Sequence, residues 1–435
     1  MPRQAYYGAV GNGQTVALVG TDLTVAWLCL PRFDGVPLVA SGLDPRRGGG
    51  WELRIDGRLP TPVRQSYLGD TNVLQTVATG GGLEITVVDW MPYGRPVLVR
   101  EVTLRNPGGA PRRATLEAHL QPVAARDFPW ETAALPVRPS PPAPAVGEAG
   151  GSGPPGRHGG WVVLRFAGDA DRLAQACPIP PGPDGRRGIY VAWGPAGRYT
   201  YPLAPGGQVR LRFTLGYGPD GAAALAAAAG EGQQASLADE IGFWQRWLAG
   251  AHPPPLDDPD LAALYRRSLL VLKLLQHRGG AWVAAATAAW PAVPGGDHNW
   301  DYRYCWIRDG CYTALAFDLA GLHAEARAFY ELMFTVQAED GSWPRPLIRV
   351  DGGAPAEFIA ADLAGPRGER PVRFGNAALD QLQLDSAGHV LHGVLEHGRA
   401  TGDWAWLRRR WPQVRRAADW VIDNWRRPEH GIWEF

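Results

Sequence analysis

The sequence predicts an antiparallel β-sandwich followed by an all-α domain. From Ala5 to about Leu215, short runs alternate apolar and polar residues between clusters of Gly, Pro, Asn and Asp, the pattern of strands with one buried face. Beyond about residue 236 the apolar period becomes helical. A chain of 435 residues also exceeds what one ordinary core organises, so two units are expected.

Within the first part, Thr115-Leu116-Glu117-Ala118-His119-Leu120 alternates, and Val209-Arg210-Leu211-Arg212-Phe213-Thr214-Leu215 sets its arginines opposite its aliphatics. Many such strands in succession, each buried on one side, pack as two antiparallel sheets. Between about Ala133 and Gly160 the chain turns rich in Pro, Gly, Ala and Ser, a composition too poor in apolar surface to offset its ordering entropy, and a loop inserted between strands is expected there. A connecting helix over about 236–249 follows, with Leu237, Ile241, Trp244 and Leu248 on one face, and the β domain is assigned to 1–250.

The second domain is assigned to 256–435. Asp258 can cap a helix whose first position is Pro259, with Leu261, Leu264, Leu272 and Leu275 lining its inner side. Further helices are legible over Asp309 to Ala320, His323 to Ala338, Asn376 to Arg399 and Asp403 to Arg426. The long loops between them are where a site is expected.

Composition narrows the partners. Hydrophobic residues form 45% of the chain and 43 Lys+Arg balance 43 Asp+Glu, which leaves no basic field for nucleic acid or an anionic membrane. A neutral small molecule is expected instead. The start of the chain has no signal-peptide pattern and no segment is apolar over a bilayer-spanning length, so a soluble cytoplasmic protein is expected. Cys29, Cys177, Cys305 and Cys311 have neither metal-ligand spacing nor the density of a disulfide scaffold, and are read as buried thiols. His389 and His392 stand at i, i+3 near His397 without an obvious third ligand, so neither a metal nor any other cofactor is expected. The run Arg408-Arg409-Arg410 with Arg415-Arg416 reads as a solvated helix face.

The segment richest in chemistry is Asn299-Trp300-Asp301-Tyr302-Arg303-Tyr304-Cys305-Trp306-Ile307-Arg308-Asp309-Gly310. Taken alone it admits two readings. Aromatic rings can cover the apolar face of a sugar while Arg308 and Asp309 make charge-assisted hydrogen bonds to hydroxyls; equally, the loop can be a structural ion pair in an aromatic corner.

This string resembles the Trp-Asp-Tyr-Arg-Tyr-Cys-Trp-x-Arg-Asp signature of glycoside hydrolase family 15, which holds glucoamylases, glucodextranases and bacterial trehalases. Other segments resemble the family in the same order: Trp27 to Asp34, Gly368 to Asn376, Gln381 to Asp385, and Gly431-Ile432-Trp433-Glu434. The resemblance implies an N-terminal β-sandwich and an (α/α)6 barrel, of which 256–435 would be the first part. It implies that Arg308 and Asp309 hold hydroxyls of the non-reducing terminal glucose, that Tyr302 and Trp306 shape that subsite, and that Glu434 beside Trp433 is the general acid. A carboxyl kept protonated by apolar neighbours can deliver a proton to a leaving alkoxide. The implied reaction is inverting release of glucose from an α-glucoside, whether glucan, oligosaccharide or trehalose. The family's general base would lie beyond Phe435, and about five legible barrel helices stand against the family's twelve; the resemblance thus implies a truncated, inactive chain. Ala286-Thr287-Ala288-Ala289-Trp290-Pro291-Ala292 departs from the family's Pro-Thr-Thr-Ser-Leu-Pro-Glu, losing hydroxyls and a carboxylate, and His298 replaces an arginine.

Overall fold

A computed structural model describes residues 6–133, 161–167, 188–194, 197–254, 257–288 and 295–431. Most of the Pro/Gly-rich insert, Cys177, Trp433 and Glu434 lie outside the described residues. The chain divides into two compact units, the first ending at Trp244 and the second running from Gln245 together with Arg32–Asp34.

The first unit holds two antiparallel sheets. One orders its strands Tyr7–Gly11, Val16–Gly20, Val25–Leu30, Gly50–Ile55, Arg112–Gln121 and Gly197–Leu203, with Val36–Val39 also paired to Val25–Leu30. The other orders Trp130–Ala133, Val162–Phe166, Tyr190–Gly194, Gln208–Gly218, Val97–Arg105, Leu83–Trp90, Leu74–Gly80 and Thr61–Tyr67. Between them lies a core that includes Trp51, Leu53, Ile85, Val102 and Phe213. A charged pair crosses it. Arg100 donates from Nε to Asp89 Oδ1 at 2.7 Å and reaches the carbonyls of Trp51, in a strand of the facing sheet, and of Leu23, in the turn between two of its strands, at 3.2 and 2.6 Å. Both side chains are fully buried, and the two carbonyls satisfy donors that burial would otherwise leave unpaired.

One-sided burial holds for only part of the Gln208–Gly218 strand. Val209 is buried and Arg210 exposed, as alternation predicts, but from Phe213 to Tyr217 every residue is buried. The cause is a helical segment, Gly221–Leu225 continuing into Ala226–Gly232, that covers the outer face. Thr214 Oγ1 donates to Ala228 O at 2.8 Å, and a Cβ on Gly216 would collide with the backbone of Ala224 and Ala228.

Helix α1, Leu237–Leu248, follows. Trp244 is buried on it as expected, and Glu240 is buried one turn before. Glu240 accepts hydrogen bonds from Trp244 Nε1 at 2.7 Å and Tyr93 N at 3.1 Å. Burial nevertheless dominates and pushes its carboxyl up from 4.5 to about 7.

The second unit contains α2 (Pro259–Leu274), α3 (Ile307–Leu319), α4 (His323–Val336), α5 (Asp385–Thr401) and α6 (Trp404–Asn424). Asp258 caps α2 as the sequence indicates, accepting from Asp260 N and Leu261 N at 2.8 and 3.1 Å. The face that α2 buries is the opposite of the predicted one: Leu269, Leu270, Lys273 and Leu274 are inside, while Leu261 and Leu264 are 48% and 60% exposed. Leucines occupy both sides of this helix, so periodicity alone does not choose between them. The helix expected from Asn376 starts at Asp385; Asn376 instead caps a separate turn, Ala377–Asp380, by accepting from Ala378 N at 2.9 Å. Among the described residues, no helix is long and apolar enough to cross a membrane, and Cys29, Cys305 and Cys311 are buried free thiols.

Because the raised Glu240 carboxyl retains a proton that the unfolded chain has already released, the first unit should lose stability as pH rises from 4.5 through about 7. The loss is of the order of 3 kcal/mol. Glu240→Gln should flatten this dependence and raise the melting temperature at pH 8 relative to the parent. Unchanged slopes in thermal melts across that window would refute the assignment.

Candidate active site

The loop from Asn299 to Gly310 is organised from its buried side outward. Asp301 is fully buried. It accepts from Arg303 Nε at 3.0 Å and Nη2 at 2.7 Å, from Tyr304 Oη at 3.2 Å and from Gly375 N at 3.0 Å. Arg303 also donates to Phe33 O at 3.2 Å and lies over the Phe374 ring, 5.2 Å from its centroid. Asn376 Nδ2 closes the loop by donating to Asp301 O at 3.0 Å. Gly375 has a φ of +80°, and a Cβ there would meet the Ala356 carbonyl, so the loop requires glycine at this point. Of the two Arg/Asp pairings in the segment, Asp301–Arg303 is therefore structural.

The other pairing has a different partner. Arg308, in the first turn of α3, donates from Nη1 to Asp385 Oδ2 at 2.7 Å and to Gln383 Oε1 at 3.3 Å. Arg308 and Asp385 keep 16% and 18% of their side chains exposed, so the pair faces an accessible space. Asp309 beside it is exposed. Tyr302 projects outward, 41% exposed, and its ring lies 5.6 Å from that of buried Trp306 at an angle of 40°. Trp306 is held by an antiparallel pairing of Cys305–Trp306 with Leu347–Ile348, and it packs with Tyr304 and Leu347. His389 Nε2 stands 3.6 Å from Asp385 Oδ2, and the Tyr312 ring lies 5.0 Å from that of His389. Four polar atoms of these segments are buried without a hydrogen-bond partner among the described residues: Asn299 Oδ1, Trp306 Nε1, Asp385 Oδ1 and Ser386 Oγ.

Tyr302, Trp306, Arg308 and Asp309 thus share one loop and helix start, whereas Trp433 and Glu434 lie outside the described residues. Gln383 and Asp385 are not among the residues that the sequence assigns to the site. Their signal was the string Gln381-Leu382-Gln383-Leu384-Asp385, but nothing local ties Asp385 to an arginine 77 positions earlier. The Trp27–Asp34 segment ends in framework: Arg32 pairs with Asp34 at 3.2 Å and Asp351 at 3.1 Å, and Asp34 accepts from Val350 N.

Residues 260–435 match the model of glycosyl hydrolases family 15, and residues 5–113 match that of the trehalase-like N-terminal domain. The match to glycosyl hydrolases family 15 covers the helical part of the chain, residues 260–435. Among its relatives, a trehalase of Thermoplasma volcanium is 27% identical over 453 residues, covering 100% of this chain and 63% of the relative. Trehalase 1 of Sulfolobus acidocaldarius is 26% identical over 433 residues, covering 98% of this chain and 66% of the relative. This chain thus spans about two thirds or less of the length of either. Among solved structures, a bacterial glucoamylase complexed with acarbose superposes with a TM-score of 0.58 at 13% identity, covering 98% of this chain and 59% of that one. That likeness shows the shared fold, antiparallel sheets followed by a helical barrel-type domain.

Asp301→Asn should destabilise the second unit by about 3–5 kcal/mol, since it leaves the Arg303 guanidinium buried without its countercharge. Denaturant melts of Asp301→Asn against Asp301→Asn/Arg303→Met would check this, the double variant recovering part of the loss.

Proposed function

We propose that this chain carries the sugar-holding part of a glycoside hydrolase that cleaves α-glucosides with inversion, and that trehalose is the foremost substrate. The observation that carries the reading is the set of open polar valences beside Arg308. Among the described residues, the buried Trp306 indole N–H and the Oδ1 of Asp385 lack partners, and Asp385 pairs with an Arg308 that keeps 16% of its side chain exposed; buried polar atoms are mostly paired. A ligand that donates and accepts through many hydroxyls satisfies both. The trehalase relatives support trehalose.

On this reading Arg308 and Asp309 bind hydroxyls of the terminal glucose, and Tyr302 and Trp306 cover its apolar face. Asp385 and Gln383 hold the Arg308 guanidinium in place for that contact. Glu434, beside Trp433, protonates the departing glycosidic oxygen as the bond to the anomeric carbon breaks. Water attacks that carbon from the opposite face, helped by a second carboxylate, which inverts its configuration.

Glucose release from trehalose, maltose and isomaltose, by a form extended to the length of the trehalase relatives, tests the proposal, with trehalose expected to be turned over fastest. Glu434→Gln should lower kcat about 10²–10⁴-fold with sugar binding retained, because it removes a proton donor but little volume. Arg308→Lys should weaken both binding and turnover about tenfold or more, since the ammonium cannot reproduce the guanidinium fork. Sugar binding with no glucose released from any of the three would replace hydrolysis with a carbohydrate-binding role.

A further inference from the structure

Away from Arg308, a second cluster in the helical unit gathers groups of a different chemistry. Asp318 near the end of α3, His323 at the start of α4 and His397 in α5 converge. His323 Nδ1 lies 2.8 Å from Asp318 Oδ1, and His397 Nδ1 lies 2.9 and 3.0 Å from Oδ1 and Oδ2. One ligand-capable atom from each residue lies within 4.8 Å of the others. Sequence spacing had grouped His397 with His389 and His392; the fold turns His397 to Asp318 instead, leaves His392 exposed and sets His389 against Asp385.

The cluster is pre-formed and has an entrance. His397 is fully buried and wedged between the rings of Tyr330 and Trp406, at centroid distances of 5.6 and 5.1 Å. Asp318 is 3% exposed, whereas His323 keeps 33% of its side chain open to solvent. Hydrogen bonding within the trio does not satisfy its surroundings. His397 Nε2 and the Tyr330 hydroxyl are both buried with no partner among the described residues, a costly arrangement for polar atoms.

We propose that Asp318, His323 and His397 bind a divalent transition-metal cation, Zn²⁺ before others, which ties α3, α4 and α5 together. Two imidazoles and one carboxylate are a ligand set that Zn²⁺ favours, whereas Mg²⁺ and Ca²⁺ select all-oxygen shells. Zinc bonds of about 2.0–2.2 Å in a tetrahedron place ligand atoms roughly 3.3 Å apart. The two histidine–aspartate separations open by less than about half an ångström to admit the ion, while the two imidazole nitrogens, within 4.8 Å of each other, come to roughly 3.3 Å. The fourth position faces the open side at His323, where water completes the shell.

The test is calorimetric titration of the chelator-stripped chain with Zn²⁺, repeated with Co²⁺ for its visible absorption. One equivalent bound per chain is expected, with a rise in melting temperature. His323→Ala should weaken binding at least about tenfold, as expected on loss of one of three protein ligands. His392→Ala, which breaks the rival pair with His389, should leave binding unchanged. His323 is partly exposed, so its replacement spares the core that a His397 variant would disturb, and circular dichroism confirms that the variant is folded. No saturable binding, binding that survives His323→Ala, or binding lost in His392→Ala would overturn the proposal.

Discussion

The bidentate pair between Asp301 and Arg303 is the constraint on which the rest of the helical unit's site region depends. Burying two charges is costly, and further hydrogen bonds with Tyr304, Gly375 and the Phe33 carbonyl offset that cost. With alternate residues 301 and 303 fixed inward, Tyr302 between them must point outward. The chain then leaves the pair through Cys305–Trp306 and enters α3 with Arg308 in its first turn. A residue that never touches the exposed face thereby sets the orientation of those that do.

The first unit uses the same device in another material. Arg100 and Asp89 sit on neighbouring strands of one sheet, and the arginine reaches one carbonyl in a strand of the other and one in a turn between its strands. Apolar burial is non-directional and tolerates sliding of one sheet over the other. A guanidinium with fixed donors does not, so the pair specifies one register for the two layers. Where the outer face of a strand is also covered, as beneath Gly221–Gly232, small residues take over: Thr214 and Gly216 admit the helical backbone that larger side chains would exclude.

Much of this architecture is legible in the sequence because its signals are local. Alternation gives the sheets, Asp258 and Pro259 mark the entry to α2, and the change of period marks the start of the helices. What is not legible depends on partners far along the chain. Leu261, Leu264 and Val271 face solvent while Leu269, Leu270 and Leu274 face inward, a choice made by neighbouring elements and not by α2 itself. Likewise Arg308 stands beside Asp309 in sequence yet bonds to Asp385, and His397 lies among histidines of its own helix yet bonds to an aspartate of another. The aromatic signature could be read as a sugar grip or as structure; the fold makes Asp301, Arg303 and Tyr304 structural and leaves Tyr302 and Asp309 exposed.

The carboxylate that holds Arg308 also bears on which sugars such a face would welcome. An arginine left alone would attract phosphorylated or acidic carbohydrates at least as strongly as neutral ones. Here the guanidinium is already opposed by Asp385, with Asp309 exposed nearby, so an incoming anion gains little attraction and meets like charge. Uncharged polyols, which need only directed donors and acceptors, pay no such penalty. On the proposed reading, the ion pair thus disfavours phosphorylated sugars as well as supporting the guanidinium.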